Sequence, residues 1–162
     1  MGGGGPLGKG LIPTTRPALV DFINKYSNLS SCTCIVHFGT GTTQRYRIYY
    51  LDTNSEWKQA DKGTNTTGSD QVLAVALGTN PSKHGMLLRG VRSFRSADSP
   101  VLNFSVGKAL YLSKLGYADT VVPTASGNIV RVVGHCMVAG GSRFGTSHTI
   151  YFNPEPGWLE LV

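Results

Sequence analysis

A mainly β fold, a compact β-sandwich or β-barrel with an internally duplicated strand unit, an extended N-terminal arm and one short helix, is the class this 162-residue sequence predicts. Three observations point there. Apolar runs are short and separated by Gly, Asn, Thr and Pro turn signals, which suits strands joined by tight loops. One order of elements, strand, turn, short strand, polar loop, apolar strand, turn, strand, is read twice along the chain. The 40% of hydrophobic residues against 15% charged supplies one ordinary core, or two small sub-lobes sharing one.

Residues 1–17 are dominated by Gly, Pro and Thr and show no apolar period, so they read as an extended arm. Its stretch "GGGGPLGKG" has the outline of a phosphate-binding loop. That reading fails on chemistry: Pro6 removes a donor N–H, Gly10 stands where Ser or Thr should hold the metal, and Pro13 and Pro17 interrupt the required helix. A docking arm fits better. Leu7, Leu11 and Ile12 offer small apolar anchors, and Lys9 and Arg16 suit an acidic neighbouring surface, met by strand addition or in a groove. The alternative is an end that orders nowhere.

From Pro17 the pattern changes. Leu19, Phe22, Ile23 and Tyr26 fall at i, i+3, i+4 and i+7 behind a proline suited to a first helical turn, which predicts the short helix. Next, "CTCIVHF", the turn "GTGT" and "TQRYRIYYL" predict a hairpin. Residues 18–162 then form a single β-rich domain of two related units, about 45–95 and 101–162. The first holds "IYYLDTNSEWKQAD", "QVLAVALG" and "GMLLRGV"; the second holds "ALYLSKLGYADT", "TASGNIVRVVGH" and "TIYFNP". Pairing Leu51 with Leu112 and Leu73 with Val130 aligns them, with connectors of different length. The expected core is Leu51, Val72, Leu73, Val75, Leu77, Leu87, Leu112, Val130, Val132, Val133, Ile150 and Phe152.

Several function classes are disfavoured. The longest apolar runs, such as residues 72–77, fall far short of the roughly 20 residues a membrane helix needs. The start lacks a charged and then apolar leader, and three cysteines, Cys32, Cys34 and Cys136, make a disulfide framework unexpected. The net charge of +6 is scattered; only Arg89, Arg92 and Arg95 form a local set. Alternation along a strand puts Arg89 and Arg95 on one face and Arg92 on the other, which suits a protein interface more than a nucleic-acid groove.

No catalytic, cofactor or metal residues are expected. Cys32, Cys34 and His37 share one stretch, but C-x-C is a poor zinc spacing and alternation turns His37 away from the thiols. No G-x-S-x-G or HExxH occurs, and the carboxylates fall mainly in loops, where burial cannot tune a catalytic pair.

The second unit, through "GKALYLS", "IVRVVG" and "IYFNP", resembles a pattern of tailed-bacteriophage virion proteins, both small head-decoration (cement) proteins and the terminal modules of tail fibres. The first unit resembles the preceding half of the same pattern, so about three quarters of the chain is covered. The resemblance implies a non-enzymatic virion structural protein, assembled in a host cytoplasm. The arm, and the absence of a long coiled-coil or repetitive shaft, favour a decoration protein that binds the major capsid protein and stabilises the shell. A homotrimer is expected, since such proteins sit at local three-fold positions and association covers short strand edges. Two alternatives stay open: a fibre or neck subunit that meets a receptor or glycan with Trp57, Tyr117 or Trp158, and a small hydrolase or carbohydrate-binding module.

Overall fold

Residues 33–63, 70–142 and 145–162 are described by a computed structural model; the expected arm and helix lie outside them. Among the described residues the strands are β1 Cys34–Val36, β2 Ile48–Leu51, β3 Trp57–Gln59, β4 Leu73–Ala76, β5 Met86–Arg95, β6 Val101–Leu102, β7 Ala109–Leu112, β8 Ala118–Asp119, β9 Ile129–Val130, β10 Val132–Ser142, β11 Gly145–Phe152 and β12 Leu159–Glu160. One short helix, α1 Pro81–His84, links β4 to β5. Its start is encoded locally: the Asn80 side chain accepts the Lys83 N–H at 3.0 Å, and Pro81 opens the first turn without losing a needed donor.

The main sheet runs β3-β2-β4-β5-β11-β10-β7-β8-β6, with β1 added beside β5, and β9 and β12 pair separately. The duplication is visible in this order. One half reads β3-β2-β4-β5 and the other β8-β7-β10-β11, all antiparallel, and the halves join where β5 meets β11. β6 is an addition outside the repeat, parallel to β8.

The sheet curls until its far ends meet. Beyond β3, Ala60 accepts from Gly116 N at 2.8 Å, Lys62 donates to Ser113 O at 3.2 Å, and Lys62 accepts from Ile129 N at 2.8 Å. These bonds occupy part of an edge that would otherwise be open. The turn before β3 is fixed by Asp52, whose Oδ1 accepts the amides of Asn54 and Glu56 at 2.8 and 2.9 Å and whose Oδ2 pairs with Lys58 at 2.9 Å. The Glu56 amide, then Lys58, holds the Asp52 pKa below its usual value.

The concave side carries the main core: Ile48, Leu73, Val75, Leu87, Phe94, Leu110, Leu112, Val133, Ile150 and Phe152 pack together. A smaller cluster of Tyr49, Trp57, Ala74, Ala76 and Met86 covers the other side of the first half, so every residue of β4 is buried. Leu87 and Phe94 both join the main core although an odd number of positions separates them. A register shift makes this possible: Ile35 pairs with Leu87, but the preceding Cys34 pairs with Arg89. Such a bulge resets the alternation.

Three expectations need correction. The "CTCIVHF" strand does not form a hairpin with "TQRYRIYYL": β1 pairs with β5, and β2 with β3 and β4. The intervening "GTGT" docks on β3 instead, Thr40 exchanging backbone bonds with Ser55 and Trp57 at 3.0 Å. Gly39 allows it, because a Cβ there would lie 2.4 Å from Trp57 Nε1. The pairing of Leu51 with Leu112 matches residues on opposite faces, since Leu51 packs in the smaller cluster and Leu112 in the main core. Finally, Val72 is 52% exposed and Leu51, Leu77, Val130 and Val132 are half-buried; the other expected core residues are buried.

Candidate functional site

The arm residues Leu7, Lys9, Leu11, Ile12 and Arg16 lie outside the described residues, so the site is built from the sheet. On β5, Arg92 pairs with the buried Ile150 and turns towards the main core, where its Nε is buried without a hydrogen-bond partner. Arg89 and Arg95 are exposed.

Beside them the centre of the sheet shows an outer face that nothing in the described chain covers. Val91 of β5 stands opposite Tyr151 of β11, which stands opposite His135 of β10. Ser93 and Thr149 form the adjacent row, their hydroxyls 2.6 Å apart, with Val138 next across β10. A bulge between Cys136 and Val138 buries Cys136 in the main core and leaves Met137 and Val138 47% and 53% exposed; Val91 is 44% exposed. Among the described residues the face therefore combines apolar side chains with Arg89 and Arg95, and its positions on β5, β11 and β10 carry no carboxylate. Exposed apolar surface of this kind, edged by charge, suits contact with another protein.

Arg131, buried between β9 and β10, lines a cleft of about 330 Å³ with Asp70, Gln71, Leu73, Arg89 and Asn153. Its guanidinium donates to Glu155 O at 2.9 Å and to Gln71 O at 3.0 Å, tying two loops together. Burial lowers its pKa, and the Asp70 carboxylate works against that shift. The group acts as a structural tie.

One contact was hidden in the sequence. His148 stacks on Phe104, with centroids 3.9 Å apart and planes at 8°, and meets Phe94 edge-on; its Nδ1 lies 3.3 Å from Ser99 Oγ. A serine beside a histidine invites a hydrolase reading. Ser99 Oγ, however, also bonds the backbone N–H and C=O of Val101, and among the described residues no carboxylate orients His148. The pair holds a turn.

Desolvation lowers the His148 pKa from its ordinary 6.5, so the unfolded chain takes up the proton more readily than the folded one. Stability is thus expected to fall as pH drops through 6.5 towards the lower folded value. Thermal melts between pH 8 and 5 should show this loss, and His148→Phe, which keeps a stacked ring, should flatten it. An unchanged pH profile in the variant would rule out His148 as its source.

Cys34 is half-buried and His37 exposed, and among the described residues no group of three or more His, Cys, Asp or Glu side chains is placed to hold a metal. Of the aromatics a receptor-binding tip would present, Trp57 is 2% exposed, Tyr117 half-buried and Trp158 40% exposed. No family model, no curated protein and no solved structure matches the chain.

Proposed function

We propose that the chain is a non-enzymatic structural subunit of a virion, a capsid decoration protein that binds the outer shell through the exposed face of β5, β11 and β10. The observation that supports this most is the face itself: Val91, Met137 and Val138 lie exposed and Tyr151 half-buried beside Arg89 and Arg95, with no carboxylate among these residues. Such a surface fits an acidic, partly apolar patch on a shell protein. The resemblance of both β-units to virion proteins supplies the setting. Residues 2–16 add a second attachment, and a homotrimer brings three faces to one local three-fold position.

The competing receptor-binding reading has less to draw on, since Trp57 belongs to the core. Reversing the two exposed charges, Arg89→Glu with Arg95→Glu, tests the proposal. Both side chains are exposed, so thermal unfolding should stay nearly unchanged while binding to particles lacking the protein falls at least about tenfold, as expected for charge reversal at an interface. Full retention by the double variant would remove this face from the contact.

A further inference from the structure

At the end of β5 the chain builds a second cleft, of about 390 Å³, lined by residues 44–47 before β2, residues 97–99 after β5, and Tyr117 before β8. Tyr46 is its anchor. The ring is 8% exposed and packs 5.6 Å from Phe94, while the backbone sits in the left-handed region at φ 67°. A bulky residue is strained in that region, so the surrounding contacts must fix it. They do: Tyr46 N donates to Ala76 O at 2.7 Å and Ala76 N to Arg47 O at 2.9 Å, locking the segment to β4.

The turn presents two arginines to one cleft. The Arg45 guanidinium lies 4.6 Å from the Tyr46 ring centroid, and that of Arg47 lies 3.6 Å from the Tyr117 centroid and also donates to the Tyr117 hydroxyl. Stacking uses the faces of a guanidinium and leaves edge N–H groups for an anion, with part of the ordering cost already met. Among the described residues neither arginine is ion-paired with a carboxylate. Asp98 lines the same cleft, exposed, and its carboxylate has no hydrogen-bond partner among the described residues.

We propose that this cleft binds a carboxylated saccharide, with Arg45 and Arg47 taking the sugar carboxylate and Asp98 and Gln44 taking its hydroxyls. The composition separates the ligand classes. A neutral sugar leaves two cations uncompensated. A sulfate or an acidic side chain gains from the arginines but offers the Asp98 carboxylate no O–H donor, so that acceptor stays unpaired beside an added negative charge. A uronate or sialate carries both an anion for the arginines and O–H donors for a carboxylate acceptor.

Calorimetric titration of the full chain with a panel of uronate- and sialate-containing oligosaccharides tests this, with a neutral glucose oligomer, inorganic sulfate and polyglutamate as comparators. At least one acidic glycan should bind saturably and the neutral oligomer should not. Arg45→Ala, an exposed position that keeps the fold intact, and Asp98→Asn should each weaken that binding about tenfold, the loss expected for one charge-assisted hydrogen bond. Absence of binding across the panel overturns the proposal. So does binding that Asp98→Asn strengthens, or that sulfate or polyglutamate matches, since either marks a plain anion site.

Discussion

Replacing Gly134 with alanine is expected to be the most destabilising single change in the fold. Gly134 lies inside β10, paired with Phe152 of β11 on one side and Leu110 of β7 on the other. A Cβ there would sit 2.1 Å from the Tyr151 carbonyl oxygen and 3.1 Å from the Phe152 Cα. Both are backbone atoms in the middle of the sheet, so relief requires β10 and β11 to separate. That pairing holds Ile150 and Phe152 against the main core. The cost should exceed about 4 kcal/mol, a large share of the roughly 5–15 kcal/mol by which a typical domain is stable. Gly140→Ala is the matched control: its nearest neighbour would be Ser147 Oγ at 3.5 Å, an ordinary contact, and the change should stay under about 1 kcal/mol. Urea denaturation followed by circular dichroism separates the two. Equal stability would mean that β10 and β11 do not approach as described.

Trp57→Ala should be the next most damaging single change, costing about 3 to 5 kcal/mol, the range for removing a fully buried large aromatic side chain. The indole packs with Tyr49, Ala74, Ala76 and Met86, tilts against Phe38 at 5.9 Å, and donates from Nε1 to Phe38 O at 2.9 Å. Its loss opens a cavity on the outer side of the first half and frees the turn around Gly39 that rests on it. Trp57→Phe keeps much of the packing and loses the N–H, so it should cost less than alanine. Trp158→Ala, at a 40% exposed site, should change the melting temperature little. A similar effect at both tryptophans would contradict the assignment of Trp57 to the core.

Strand order was the most legible part of the fold. In "IYYLDTNSEW" and "ALYLSKLGYAD" an apolar strand, a five-residue reversal and a short second strand recur, and the structure builds β2-β3 and β7-β8 from them. Register was less legible, because shifting a pairing by one residue exchanges the faces of a strand. Leu51 and Leu112 end equivalent strands and still face opposite clusters. The false hairpin has a related cause: "CIV" has the composition of a strand but carries no record of its partner, which is set by the distant "MLLR" of β5.

Little of the candidate sites could be read beforehand. Alternation separated Arg92 from Arg89 and Arg95, but the exposure of Val91, Met137 and Val138 depends on β11 lying between β5 and β10 and on a bulge at Cys136. The arginines of the second cleft gave a faint local signal in "RYR". What joins them to Asp98 and Tyr117 is the curl of the sheet, and what aims them is the left-handed backbone of Tyr46, for which no glycine or asparagine gives warning.

Electron microscopy of particles carrying a labelled chain decides whether the outer face of β5, β11 and β10 attaches to a virion shell. Label is expected on the shell at local three-fold positions, with Arg89, Val91 and Arg95 facing the capsid in a reconstruction. Label confined to the tail or neck, no label on any particle, or density in which that face points away from the shell would contradict it.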